Sequence, residues 1–69
     1  MNLEQTEPEY VIRMRIELEN LQIRVTALGQ FIDSDMYHNL GFSEQRLMAA
    51  QYGAMMAYEQ ILGVRLNIQ

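Results

Sequence analysis

Val11, Met14, Leu18, Leu21, Val25, Leu28 and Ile32 recur at alternating steps of three and four. This is the a/d spacing of a helix that packs along its length on another helix. Upstream, Thr6 and Glu9 form a T-x-x-E capping box around Pro8, the only proline, so the helix is expected to begin near residue 7. Downstream, Asp33-Ser34-Asp35 brings short polar side chains that compete for backbone hydrogen bonds, and the helix is expected to end at Ile32 or Asp33. Ile12, Ile16 and Ile23 fall on positions b and f, away from the seam. Three such residues on a helix that already carries a full seam predict that it is covered from two sides. A second copy of the chain would supply that cover. The other source is the connection itself, folding back with Met36, Tyr37, Leu40 and Phe42.

The connection is expected over residues 34–43, with Gly41 free to take a positive φ and Ser43 as the N-cap before Glu44 and Gln45. A second helix follows over about 44–66. Its stripe reads Leu47, Ala50, Ala54, Tyr58 and Ile61, with Met48, Tyr52, Met55, Leu62 and Leu66 beside it. Small residues at 49, 50, 53, 54 and 57 permit close helix approach, and the methionines fill irregular gaps. Gly53 and Gly63 each cost a helix about 1 kcal/mol relative to alanine, which predicts that packing or a ligand needs those positions small. The fold class is therefore all-α: one domain over 1–69, a helical hairpin of two long helices with room for a short helical turn between them. Ordering such a hairpin costs about 1.5 kcal/mol per residue, and one buried face per helix barely offsets that. A homo-oligomer of hairpins is the expected remedy.

Composition narrows what the hairpin can do. At 69 residues there is no room for a second domain, and with no cysteine there is no disulfide or thiolate-metal scaffold. No apolar run approaches the roughly 18 residues of a bilayer span, so no membrane partner is expected. The segment Met1–Glu7 lacks the basic start and apolar middle of a signal peptide, and a cytoplasmic location is expected. Five basic against nine acidic residues give a net charge of -4, the wrong sign for gripping a DNA or RNA polymer. All five basic residues are arginine (Arg13, Arg15, Arg24, Arg46, Arg65), whose planar fork suits a carboxylate or a small phosphate ligand.

Catalytic chemistry is not expected. The one histidine, His38, shares a connection with Asp33, Ser34 and Asp35, and contiguous residues cannot converge as a triad does on a substrate. The same residues lack the ligand set of a calcium or zinc site, and no metal or cofactor is expected. Arg13 stands four residues before Glu17 and Arg15 four before Glu19, so both can pair along the helix surface. That leaves Tyr10, Arg24, Thr26 and Arg65 as candidates for a ligand.

The pattern Arg13, Glu17, Glu19, Leu21, Leu28, Phe31-Ile32, followed by Gln51, Met55, Tyr58, Ile61-Leu62-Gly63 and Arg65-Leu66, resembles the small all-helical phage proteins that include the anti-CBASS cyclic-oligonucleotide sponge. The likeness spans about residues 8 to 68, and its C-terminal part, QYGAMMAYEQILGVRL, is the more specific half. It implies a hexamer of helical hairpins that holds cyclic dinucleotides between protomers and, in some members, cyclic trinucleotides at a separate site. Such a protein acts by sequestration and breaks no bond: it keeps the messenger of host CBASS immunity below the level its effector needs. By the same resemblance, Tyr10 would stack on a base, and Arg24 stands where the family has a lysine that reaches the phosphates. Thr26 and Arg65 align with the trinucleotide site. On the residues alone, Tyr10 could equally cap the hairpin and Arg24, at position g, form an interhelical salt bridge. A coiled-coil adaptor that binds another protein through its helices is the alternative function. A third is a regulator that blocks a host protein through an apolar groove.

Overall fold

The computed structural model describes residues 7–69 as two long helices and one short one: α1 (Glu9–Ile32), α2 (Asp35–His38) and α3 (Phe42–Asn67). Among the described residues 86% are helical and none lies in a strand, so the all-α hairpin is realised. α1 and α3 pack antiparallel along their length in a rod of 57 × 15 × 14 Å. No described helix is long and apolar enough to cross a membrane.

α1 starts later than the capping box implies. Glu9 is its first residue and Pro8 stands at the N-cap with no side-chain cap bond, while the Pro8 carbonyl accepts from the Val11 and Ile12 amides at 3.0 and 3.2 Å. Glu9 would have to be the third helical residue to close a box, and Thr6 lies outside the described residues. The other end falls where the polar triplet predicts, with Asp33 as C-cap. Ser34 then turns the chain: its hydroxyl donates to the Phe31 carbonyl at 2.5 Å and accepts the Tyr37 amide at 3.4 Å, which caps α2.

The corner is held by Tyr37, buried with its ring edge-on to Phe31 and His38. Its hydroxyl donates to the Gln45 carbonyl at 2.8 Å, and the Gln45 amide donates to the carbonyls of Leu40 (2.8 Å) and His38 (3.3 Å). These contacts let α3 begin at Phe42, two residues before the expected start, with Gly41 rather than Ser43 at its N-cap. Gly41 has φ -62°, and no described residue has a positive φ. The positive φ expected there is not used, because the one-turn helix α2 absorbs the reversal.

The core is narrow. Met14, Leu21, Val25 and Leu62 form its buried centre, with Leu18, Tyr52, Met55 and Leu66 packed against them. α1 thus turns its predicted seam inward. α3 is rotated from expectation: Gln45, Met48, Tyr52, Met55, Glu59, Leu62 and Leu66, again at steps of three and four, face α1, while Leu47, Ala50, Ala54, Tyr58 and Ile61 are exposed. The stripe expected beside the main one is the true seam. Two polar members, Gln45 and Glu59, disguise it, and one of them serves the corner. Among the described residues twelve large apolar side chains are exposed against six buried, and Ile12, Ile16 and Ile23 are among the exposed. The connection therefore does not fold back over the three isoleucines.

Candidate ligand-binding flank

Residues seven apart on a helix lie two turns along and nearly superimposed in azimuth. On α1 this aligns Tyr10, Glu17 and Arg24 down one edge of the rod, and on α3 it aligns Tyr58 and Arg65. The hairpin brings the two columns together. At the open end the Tyr10 hydroxyl donates to Gln69 Oε1 at 2.8 Å, and Gln69 Nε2 donates to the Arg65 carbonyl at 3.2 Å. One step inward the Tyr58 hydroxyl donates to the Glu17 carboxylate.

The electrostatics of this flank converge on Tyr58. Its hydroxyl is held above the ordinary tyrosine value, first by the hydrogen bond to Glu17, then by burial and the Glu17 charge, while Arg65 and Arg24 pull in the opposite direction. One hydroxyl thus senses a carboxylate and both candidate phosphate-binding arginines.

The other arginines are occupied. Arg13 pairs with Glu9 at 3.5 Å and Arg15 pairs with Glu7, so the expected Arg13–Glu17 and Arg15–Glu19 pairs are replaced by pairs reaching toward the N-terminus. Acidic residues in the first helical turn (Glu9) and just ahead of it (Glu7) suit the helix dipole, and the exchange releases Glu17 for Tyr58. Arg46 lies 5.5 Å above the Phe42 ring. Among the described residues no ion pair engages Arg24 or Arg65; the interhelical salt bridge open to Arg24 is not formed. Tyr10 keeps 52% of its surface exposed, which leaves a ring face available for stacking.

The four residues expected to bind ligand are not gathered in pairs by one chain. Tyr10 and Arg24 share a column but stand fourteen residues apart, about 21 Å of helix axis. Thr26 lies on the outer side of α1, in a shallow depression with Gln22, Ile23 and Gln30. Arg65 borders a different depression on α3, with Ala57, Gln60, Ile61 and Val64. Within the protomer Arg65 and Arg24 both act on the Tyr58 hydroxyl, whereas Thr26 and Arg65 line different depressions. Sequence reasoning missed Glu17, Tyr58 and Gln69. The signal was present in the spacing, since Glu17 stands midway between Tyr10 and Arg24 and Tyr58 seven before Arg65. Among the described residues no group of three His, Cys, Asp or Glu could hold a metal ion.

A family model for the Sequestins matches residues 8–68, nearly the whole of the described chain. The chain belongs to the Sequestin family. Sequestins are the phage anti-CBASS cyclic-nucleotide sponges, the group that the residue pattern resembles. Neither the curated proteins nor the solved structures contain a match. Membership assigns a sequestering role in anti-defence, that is, binding rather than turnover.

Proposed function

We propose that this protein sequesters cyclic di- and trinucleotide messengers of host CBASS immunity, uncleaved, in the cytoplasm of the infected bacterium. Cyclic dinucleotides are held through Tyr10 and Arg24, and cyclic trinucleotides through Thr26 and Arg65. The observation that carries the reading is that, among the described residues, no carboxylate pairs with Arg24 or Arg65 although the chain is acidic. A guanidinium held near the surface and unpaired is ready to take phosphate oxygens by charge-assisted hydrogen bonds.

Both sites need more than one copy. Two α1 helices laid antiparallel about residue 17 would bring Tyr10 of each copy to Arg24 of the other, matching the approximate twofold symmetry of a cyclic dinucleotide. Thr26 and Arg65 sit on different faces of one hairpin, so a trinucleotide site also lies between copies. The excess of exposed over buried apolar side chains supplies the driving force for assembly, and six hairpins is the assembly proposed. The exposed stripe of Leu47, Ile61, Val64 and Ile68 is also what a helix-binding adaptor would carry, and the two readings part on ligand affinity.

Calorimetric titration with a panel of cyclic di- and trinucleotides, with the mass in solution measured alongside, tests the reading. Binding is expected at one dinucleotide per two protomers. Arg24→Ala should weaken it about 10- to 100-fold, the value of a charged hydrogen bond of about 1.5–3 kcal/mol, with the assembly unchanged. Arg65→Ala should spare dinucleotides and weaken trinucleotides. Heatless titrations by a well-folded oligomer would sink the sponge reading and leave the adaptor.

A further inference from the structure

The carboxylate of Glu17 is out of place in a flank that binds phosphate. It stands midway between Tyr10 and Arg24 on the same column of α1, where its charge repels an anionic ligand. Nor does a salt bridge quench it, because Arg13, one turn away, is committed to Glu9. Its one hydrogen-bonded partner among the described residues is the Tyr58 hydroxyl, which donates to Oε2.

An ionised carboxylate is a pure acceptor, with about four lone-pair positions on two oxygens. Tyr58 uses one position, fixes the rotamer, and leaves Oε1 open on an exposed surface. The hydroxyl is a protonated donor at neutral pH, consistent with the upward direction of its titration. Arg24 is seven residues away, about 10.5 Å along the helix, a span on the scale of a nucleotide from phosphate to base edge. A ligand phosphate on Arg24 therefore leaves a base of the same nucleotide within reach of Glu17.

Resting on the sequestration reading above, we propose that Glu17, oriented by Tyr58, reads the Watson–Crick edge of a bound base and favours guanine. Guanine presents N1–H and N2–H2 side by side, two parallel donors for the two oxygens of a carboxylate, as an arginine fork does. Adenine and cytosine offer one amino group there, and uracil sets a carbonyl on each side of its single N–H, against the negative charge. Glu17 is thus a specificity-determining residue, and Tyr58 is the positioning residue behind it.

The test is titration of the full-length protein with cyclic di-guanylate, cyclic di-adenylate and cyclic di-uridylate, in the wild type, Glu17→Gln and Tyr58→Phe. Both side chains are exposed, so the variants should keep their helicity and mass, checked by circular dichroism and sedimentation. The wild type should prefer the guanine ligand over the uracil ligand by about tenfold or more, the discrimination typical of a bidentate base contact. Glu17→Gln turns one acceptor into a donor and should erase most of that preference while binding the uracil ligand as well or better. Tyr58→Phe should reduce the preference without weakening the uracil ligand, whereas a mere helix staple would weaken all three alike. Equal wild-type affinities, or a guanine preference unmoved by Glu17→Gln, would overturn base reading and leave sequestration standing. Binding of none of the three would remove base reading together with the dinucleotide site at Tyr10 and Arg24.

Discussion

Leu62→Ala is the sharpest probe of which face of α3 meets α1. Leu62 is 1% exposed, enclosed with Met14, Leu21 and Val25. Truncation removes the equivalent of three methylenes, about 2.4 kcal/mol of transfer free energy at ~0.8 kcal/mol each. The residual cavity raises the loss toward about 5 kcal/mol. A chain of this length has on the order of 3 to 10 kcal/mol to lose, so Leu62→Ala should unfold the hairpin or leave it marginal. Leu47, from the stripe that the sequence pattern puts first, is 68% exposed. Its truncation should cost a single hairpin under about 1 kcal/mol. Urea unfolding followed by circular dichroism at two protein concentrations reads the difference. With a slope of about 1 kcal/mol per molar, Leu62→Ala should lower the midpoint by roughly 2 M or more at both concentrations. Leu47→Ala should act only through association, with a loss that shrinks on dilution as wild type and variant alike come apart into single hairpins. A concentration-independent loss at Leu47 equal to or above that at Leu62 would refute the packing register of α3.

Two further outcomes are expected. A Cβ at Gly53 or Gly63 would meet nothing within 4 Å, whereas one at Gly29 would stand 2.9 Å from the Tyr52 hydroxyl and 3.2 Å from its ring. Gly53→Ala and Gly63→Ala should therefore each stabilise the hairpin by about 1 kcal/mol, seen as a higher thermal midpoint, and Gly29→Ala should forfeit that gain; a lower midpoint with loss of assembly at Gly53 would mean that a second copy packs there. Tyrosinate absorbance should show Tyr58 titrating above the ordinary value of 10.0. Because the folded value is raised, the Glu17–Tyr58 contribution to stability is fully present below about pH 10 and is lost as pH rises through the folded value; in Glu17→Gln the Tyr58 titration should move back toward the ordinary value, and an unmoved titration would contradict the assigned cause.

The candidate flank was half legible. Tyr10, Arg24 and Arg65 stand out through residue type and resemblance, because aromatic rings and guanidiniums are scarce in this acidic chain, whereas Thr26, named by the resemblance alone, lies off the flank. Glu17 was hidden by a plausible local partner. The i,i+4 rule allowed Arg13 to pair forward to Glu17, and only the structure shows it paired backward to Glu9. Tyr58 was hidden in an apolar stripe, since a hydroxyl at the end of a ring does not alter helical periodicity.

What the sequence by itself determined is the part written in one-sided patterns. The seam of α1 is apolar against a largely polar helix, so its inward face follows from spacing. The break at Asp33-Ser34-Asp35 follows from side chains that compete with the helical backbone. The shortage of core follows from length and the stray isoleucines. Tertiary structure alone decided how α3 is turned, because that helix is apolar on opposite sides. Periodicity selects a face only when another face is polar. With two candidates, the choice fell to contacts between distant residues: Tyr37 and Gln45 anchoring the corner, Leu62 filling the space among Met14, Leu21 and Val25, and Tyr52 lying across Gly29. The same rotation carries Tyr58 to Glu17 and puts Arg24 and Arg65 within electrostatic reach of its hydroxyl, so the register of the hairpin is what assembles the candidate flank.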